Sequence, residues 1–253
     1  SLLIVFILGF ILIQNTFFKP TKLNYFIASK IYKTPANTAF TDENFYKCVV
    51  DAYNRKNNTS LPYTTNLSDE QLAEITSLNC GGGNEDNQKI TSTSGIEKIT
   101  SLMVLYIHNN LLNELDISHN TKLTELYAYD SLLTSLDTSH NPLLTKIVLG
   151  DYHHVGFTQD GYLNLSYVNS DINDNKISNL DVSHNPLLTY LDLNGIGLTD
   201  LDISNNPSLV YLDVSYNQLT DLDVTQSTSL TNLYVASNQL INLDITGVNN
   251  LKY

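Results

Sequence analysis

The sequence predicts a solenoid of stacked coils, because one short motif recurs along the chain at a fixed interval. The motif is Leu-Asp-x-Ser/Thr, and its copies start at Leu115, Leu136, Leu180, Leu201, Leu222 and Leu243. Successive copies lie 21 residues apart, except for one step of 44 residues, which we interpret as two periods of 21 and 23. A period of roughly 20 to 29 residues with this leucine spacing is typical of a leucine-rich repeat. We therefore predict a β-dominated leucine-rich repeat solenoid with a parallel sheet on its concave face and a small helical N-terminal cap.

The first part of each coil carries the pattern of a short strand. In Leu212-x-Val214, apolar and polar residues alternate, as in a strand with one buried face. A single coil cannot bury these side chains, whereas a stack can, and each buried leucine or isoleucine contributes roughly 1.5–3 kcal/mol. The counterparts in the other coils are Leu105 and Ile107, Leu126 and Ala128, Ile147 and Leu149, Leu191 and Leu193, and Leu233 and Val235.

Asparagines recur at two positions of the coil. Asn217 and Asn238 follow the strand pattern, whereas Asn120, Asn141, Asn185 and Asn206 follow the Leu-Asp motif. A buried turn leaves backbone N–H and C=O groups to be paired, and an asparagine amide both donates and accepts hydrogen bonds. We predict that these asparagines are structural and form ladders inside the solenoid.

The first 40 residues contain an apolar segment followed by a linker. Residues 1–18 fit the hydrophobic region of a secretory signal peptide, or alternatively an uncleaved N-terminal anchor. Residues 19–40 are interpreted as a linker. Both interpretations of 1–18 place the rest of the chain outside the cytoplasm.

Residues 41–100 are predicted to form the helical cap of the repeats. The apolar spacing from Thr41 to Tyr53 predicts an amphipathic helix. Ser68 and Gln71 predict a capping box for a second helix over 69–75.

The two cysteines of the chain both fall in this cap. Cys48 lies on the apolar face of the predicted first helix, and Cys80 lies at the end of a predicted strand over 75–80. In an oxidising compartment they would form a disulfide, and otherwise they would pack as two buried thiols.

Residues 101–253 are predicted to form the repeats, with an interruption at 150–174 and truncation at the C-terminus. The interruption is interpreted either as sequence drift or as a functional protrusion, and by register it keeps a strand around Asp171. His153 and His154 lie near Asp151 and Asp160, but adjacent histidines in a strand point to opposite faces, so no metal site is expected.

The residues that flank the buried strand positions are the candidate ligand-binding residues, because they line the concave face. Tyrosines and acids recur there, and tyrosine buries a large area at low entropic cost. We expect no packing role for these tyrosines; the alternative is that tyrosine and aspartate simply tolerate a solvated strand. The candidates are Tyr106, Glu125, Tyr127, Tyr129, Asp130, Asp171, Tyr190, Asp192, Tyr211, Asp213, Tyr216 and Tyr234.

Composition and charge exclude several functional classes. The formal net charge of −13 argues against nucleic acid and against anionic membrane surfaces as partners. No nucleophile elbow, phosphate-binding loop or paired Cys and His is present, so we predict no enzyme, no metal and no cofactor. The aspartate of the Leu-Asp motif is expected either to make a turn hydrogen bond or to face solvent.

The repeats resemble those of bacterial leucine-rich repeat proteins of the internalin J type, a group of cell-surface adhesion proteins. The resemblance is carried by LTDLDVTQSTSLTNLYVASNQLINLDIT, residues 219–246, and its copies back to Leu102. That family has cysteine at the second inward strand position, whereas this chain has Ile107, Ala128, Leu149, Leu193, Val214 and Val235 there. The cap segment is also similar to the N-terminal cap of secreted bacterial leucine-rich repeat proteins, but without the aspartates of a calcium loop.

The resemblance implies a secreted or surface-anchored bacterial module for adhesion or protein binding. An acidic concave face would suit a protein partner with a basic patch. The alternatives are a carbohydrate-binding module that uses the same tyrosines, and a non-catalytic scaffold of a larger protein. Contact with a membrane is expected only through residues 1–18, if they are uncleaved.

Overall fold

The structure is a computed structural model that describes residues 39–82, 88–150, 156–157, 163–164 and 175–252. The expected signal peptide or anchor, nearly all of the linker, and the histidines and aspartates considered as metal ligands in the interruption lie outside the described residues. In the part that is described, no helix is long and apolar enough to cross a bilayer. The described residues belong to a unit that spans Ala36–Tyr253.

Two helices form the cap, as the sequence predicts. Helix α1 spans Glu43–Asn57 and begins at Asp42, whose carboxylate accepts hydrogen bonds from the N–H groups of Asn44 and Phe45. Helix α2 spans Asp69–Ala73, two residues shorter than predicted, and has the predicted capping box of Ser68 and Gln71. Phe45, Val49 and other apolar residues of α1 are fully buried against the first strand.

A disulfide joins the cap to the sheet. Cys48 on α1 is bonded to Cys80, which directly follows strand β1, Ser77–Asn79. A 3-10 helix, Ile96–Lys98, then leads into the first regular coil.

Seven three-residue strands form one parallel sheet. Strands β2 to β4 span Val104–Tyr106, Glu125–Tyr127 and Lys146–Val148, and strands β7 to β9 span Tyr190–Asp192, Tyr211–Asp213 and Asn232–Tyr234. Their order is β1-β2-β3-β4-β7-β8-β9, and each pairs with the next position for position. The middle residue of each strand points into the core, and it is fully buried in all but β9. The predicted leucine-rich repeat solenoid is confirmed.

The strand pairing across the interruption shows that the predicted number of coils is wrong. The sequence suggests two coils between Leu136 and Leu180, with a strand around Asp171 in between. In the structure, β4 pairs directly with β7, so Lys146 lies beside Tyr190. The step of 44 residues is therefore one coil of the sheet with an insertion, and no sheet position exists between β4 and β7 for the predicted strand. Asp171 itself lies outside the described residues.

Inside the insertion, two short strands pair antiparallel: β5, Gly156–Phe157, and β6, Leu163–Asn164. The sheet does not need the insertion for its continuity, because the backbone N–H groups of Thr189 and Tyr190 donate directly to the carbonyl of Thr145.

The predicted asparagine ladders are present. In the first, each amide donates to the backbone carbonyl of the preceding asparagine and to a second carbonyl: Asn141 donates to Asn120, Asn185 to Asn141, and Asn206 to Asn185. The second ladder contains Asn110, Asn175, Asn217 and Asn238, of which the sequence analysis identified only the last two. These amides pair backbone groups that the stacked coils remove from water.

The aspartate of the Leu-Asp motif makes a turn hydrogen bond, one of the two roles expected for it. In each copy its Oδ1 accepts from the backbone N–H two residues later, as Asp202 does from Ser204 at 2.8 Å. The same bond occurs at Asp116, Asp137, Asp181, Asp223 and Asp244. The side-chain hydroxyl of that same serine or threonine, together with this backbone N–H, holds the pKa of each carboxyl below its ordinary value, and at Asp202 the backbone N–H is the larger cause.

Candidate binding surface

The first and third residues of each strand point away from the core and form the solvent face of the sheet, which we call the strand face. One row of this face consists of the first residues, including Glu125, Lys146, Tyr190 and Tyr211. The other row consists of the third residues, including Tyr106, Tyr127, Asp192, Asp213 and Tyr234. The strand face therefore contains eight of the eleven described candidate residues, and Tyr129, Asp130 and Tyr216 lie outside the strands.

The tyrosines of the strand face pack against one another, contrary to our expectation that they have no packing role. Tyr106 and Tyr127 stack with ring centroids 4.3 Å apart, and Tyr190 and Tyr211 stack at 4.1 Å with nearly parallel planes. The reason is the strand spacing: identical residues at the same position of adjacent parallel strands lie about 4.8 Å apart, which suits ring stacking.

Lys146 connects the two stacked pairs. Its ammonium lies 4.0 Å from the ring centroid of Tyr190 and 5.2 Å from that of Tyr127, within the range of a cation–π interaction. The Tyr127 hydroxyl donates to Glu125 at 2.8 Å. Burial, and next this hydrogen bond, raises the pKa of Tyr127. Tyr127 and Tyr190 are therefore each held between a stacked tyrosine and the Lys146 ammonium.

A second stack lies next to the N-terminal tyrosine pair. The ring of His108 stacks on that of Tyr129 at 4.4 Å and meets Tyr106 edge-on. Gly81 leaves room for this imidazole, since a Cβ at Gly81 would lie 2.6 Å from its Nε2. Burial, and next the nearby Lys89, lowers the pKa of His108. His108 was not among the predicted binding residues.

Two predicted residues belong to the turn that follows the strands. Asp130 has a φ of +50° and Tyr216 has a φ of +58°, and Asn109 and Ser237 share this left-handed conformation at the same position of their coils. Asp130 is only 4% exposed, so its prediction as a surface residue is wrong. Tyr216 is 43% exposed but projects from the turn and not from a strand.

Asp213 is on the strand face but is largely covered. It is 6% exposed, and it accepts a hydrogen bond from the backbone N–H of Ser215 at 2.9 Å. Burial raises its pKa, although this hydrogen bond and one from the side chain of Asn194 oppose the effect. A carboxylate that has been removed from water favours a nearby cation.

The histidines of the Leu-Asp turns lie in exposed positions. In each, Nδ1 lies 3.1 Å from the hydroxyl of the preceding serine, at His119, His140 and His184. Among the described residues, no group of three or more His, Cys, Asp or Glu side chains is arranged to hold a metal ion.

Among known proteins, the chain is similar to internalins of Listeria monocytogenes. No family model matches the chain. Over 85 residues it is 38% identical to Internalin J of Listeria monocytogenes, a match that covers 34% of this chain and 8% of that protein. The solved functional domain of InlJ from Listeria monocytogenes superposes with a TM-score of 0.59 at 34% identity, covering 84% of this chain and 44% of that one.

The chain is an internalin-like leucine-rich repeat protein. The internalin InlF of Listeria monocytogenes is also similar, with a TM-score of 0.58 over 86% of this chain and 62% of that one, and at 24% identity it supports the fold alone. The chain spans less than half of the InlJ domain and less than a tenth of Internalin J.

This internalin-like chain differs from the InlJ domain in its cysteines. That domain is described as including a cysteine ladder. Here both cysteines form the Cys48–Cys80 disulfide, and the positions at which the resemblance leads us to expect cysteine hold aliphatic residues such as Ile107 and Val214, both fully buried. Aliphatic packing therefore replaces thiols along this column of the core.

Proposed function

We propose that the strand face is the interaction surface of a secreted or cell-surface protein, and that its ligand is another protein. The observation that carries the proposal is the two stacked tyrosine pairs on the face, one in each row, which Lys146 joins. A role in binding, without catalysis, accounts for this arrangement.

Stacking prepares the tyrosines for binding. A tyrosine at a protein interface contributes a large contact area, and it loses less entropy on binding when its ring is already held in place. Tyr106, Tyr127, Tyr190 and Tyr211 are each half-buried by their neighbours. Their intermediate exposure leaves part of each ring accessible to a partner.

The same stacking favours a protein over a carbohydrate. A sugar ring packs against the flat face of an aromatic ring, but the inner faces of Tyr106 and Tyr127, and those of Tyr190 and Tyr211, cover each other. Lys146 lies over the outer faces of Tyr127 and Tyr190. Few ring faces remain for a sugar to stack on.

The charge of the chain supports a basic partner. The net charge is −13, and between Ile177 and Leu251 the sequence contains eight aspartates and no lysine or arginine. Electrostatic attraction between this region and a basic patch would raise the association rate, and the rate would fall as salt is added.

An extracellular location is part of the proposal. The apolar segment at 1–18 fits a signal peptide or anchor, and the Cys48–Cys80 disulfide fits an oxidising compartment. The similarity to Internalin J agrees with this location.

The proposal is tested with three forms of the chain against a panel of purified extracellular proteins, each before and after enzymatic deglycosylation. The wild type is compared with the double variant Y127S/Y190S and with Y63S, which makes the same change at an exposed tyrosine of the cap. We expect a protein ligand whose binding survives deglycosylation, falls at least about tenfold in the double variant and is unchanged in Y63S.

Other outcomes contradict the proposal. Binding that disappears on deglycosylation would indicate a glycan ligand. Equal loss in Y63S and the double variant, at unchanged thermal stability, would place the contact outside the strand face. A panel without any ligand would favour a scaffold role.

A further inference from the structure

The outer ring faces of the Tyr190–Tyr211 pair differ at its two ends. At the Tyr190 end of the second stacked pair, the outer face is covered by the Lys146 ammonium at 4.0 Å. At the Tyr211 end, the next residue in the same row is Asn232, which carries no charge. Tyr234 is tilted by 45° against Tyr211, with ring centroids 5.5 Å apart, so the two rings are in contact and diverge from each other as a wedge, and the Asn232 amide donates to the Tyr234 hydroxyl at 3.4 Å.

Lys146 shows that the outer ring face of a stacked tyrosine on the strand face can bind a cation. The protein places one of its own cations over one end of the Tyr190–Tyr211 pair, between tyrosines of the strand face. The opposite end has aromatic surface of the same kind, and Tyr234 is 37% exposed there. No lysine or arginine between Ile177 and Leu251 is available to fill it from within these coils.

Acidic and acceptor groups lie at this open end. Asp192 and Asp213 are neighbours on β7 and β8, and the charges of both raise the pKa of Tyr211, after burial as the main cause. The side chain of Asn194 donates to Asp213, and its Oδ1 is buried and has no hydrogen-bond partner among the described residues. A buried carboxylate next to an unused amide acceptor offers more hydrogen-bond acceptors than the described residues use.

We infer that the wedge between Tyr211 and Tyr234, with Asp213 at its base, is a site for a basic side chain of the partner protein. A lysine ammonium or an arginine guanidinium would stack on the tyrosine rings and pair with the Asp213 carboxylate. The guanidinium suits it better, because it is planar and brings five donors to the acceptors of Asp213 and Asn194. The inference rests on the proposed protein-binding role and names the partner's chemistry at one place on the strand face.

The site is tested by titrating the chain, labelled with carbon-13 in its tyrosine rings, with tetra-arginine amide and tetra-lysine amide. Tetra-(N-acetyl-lysine) amide is the uncharged control. Ring chemical shifts of Tyr211 and Tyr234 report binding at the wedge, whereas those of Tyr63 in the cap report diffuse binding to the surface.

Two matched pairs of variants separate the site from general electrostatics. D213N removes the charge and keeps an oxygen for the Ser215 N–H, and D223N makes the same charge change at an exposed turn aspartate. Y234L removes the aromatic face, and Y234F keeps it. We expect D213N and Y234L each to weaken tetra-arginine binding about fivefold or more, and D223N and Y234F less than about twofold.

Three results would overturn the site: equal weakening by D213N and D223N, comparable binding of the acetylated peptide, or shifts at Tyr63 as large as those at Tyr234. These three results would contradict the wedge alone. The proposed function would still be supported if a panel protein bound the wild type and lost affinity in Y127S/Y190S. Conversely, tetra-arginine could bind specifically at the wedge while no panel protein loses affinity in Y127S/Y190S. That result would support the wedge and contradict the proposed function.

Discussion

The buried asparagine ladder predicts a large difference between two neighbouring residues. Asn206 is fully buried, and its amide donates to the carbonyls of Val182 at 3.0 Å and of Asn185 at 2.9 Å. Asn205 is exposed in the same turn. Replacing each with alanine makes the same chemical change at adjacent positions, so Asn205→Ala is the matched control for Asn206→Ala.

The structure sets the size of the expected effect. A buried polar group that loses its partner costs roughly 1–3 kcal/mol. Two carbonyls lose the Asn206 amide, but each keeps a backbone donor, since Asn185 donates to Val182 and Leu188 donates to Asn185. A cost near the bottom of that range, about 1–1.5 kcal/mol, therefore applies to each, and we expect Asn206→Ala to reduce the free energy of unfolding by about 2–3 kcal/mol.

The assay is thermal and urea unfolding, followed by circular dichroism. Since a change of 1 kcal/mol shifts the Tm of a domain of this size by about 2–4 °C, Asn206→Ala should lower the Tm by roughly 4–12 °C and Asn205→Ala by no more than about 2 °C. Asn206→Asp should destabilise at least as strongly, because a carboxylate cannot donate to the two carbonyls. Equal stabilities of the two alanine variants would refute the role of the ladder.

Three further predictions concern the cap, a histidine and the core. Reduction of the disulfide, or Cys48→Ser with Cys80→Ser, should destabilise the cap by about 3–4 kcal/mol, because the bond closes a loop with a sequence separation of 32; an unchanged melting curve would contradict this. The lowered pKa of His108 means that the unfolded chain binds a proton at a higher pH than the folded one does. Stability should therefore fall as the pH decreases from about 6.5 toward the folded pKa, and His108→Gln, but not the exposed His184→Gln, should flatten this dependence in urea titrations at several pH values. Leu212→Ala in a central strand should cost about 2–5 kcal/mol, measured by urea unfolding, against less than about 0.5 kcal/mol for the exposed Leu187→Ala.

The sequence was sufficient for the fold because the fold repeats. The spacing of the Leu-Asp motif predicts the stacking, and the apolar alternation around Leu212 predicts which residues are buried. The capping box of Ser68 and Gln71 depends only on local spacing, and it was also found. Each of these features is determined by neighbours in the chain or by identical neighbours one coil away.

The interruption could not be interpreted in this way. A step of 44 residues fits two coils as well as one coil with an insertion, and only the pairing of β4 with β7 distinguishes them. Asn110 and Asn175 were missed for a related reason. Asn175 follows the insertion, where the register is lost, and Asn110 is the second of two consecutive asparagines, either of which could have been the buried one.

The details of the strand face depend on side-chain geometry, which the repeat period does not specify. The tyrosine stacks require two tyrosines at the same position of adjacent strands, and the pairs Tyr106–Tyr127 and Tyr190–Tyr211 occupy different rows. Lys146 connects them only because the insertion leaves β4 next to β7. The burial of Asp130 could not be predicted from its place in the coil, because Tyr216 and Ser237 have the same left-handed conformation at the same position and are exposed.

The most direct measurement of the central claim is hydroxyl-radical footprinting of the tyrosines in the complex with a protein ligand from the panel. The strand face predicts that Tyr106, Tyr127, Tyr190, Tyr211 and Tyr234 become protected on binding, while Tyr63 in the cap is modified as in the free chain. Protection confined to the cap or to the Leu-Asp turns, with the five strand tyrosines unchanged, would contradict it.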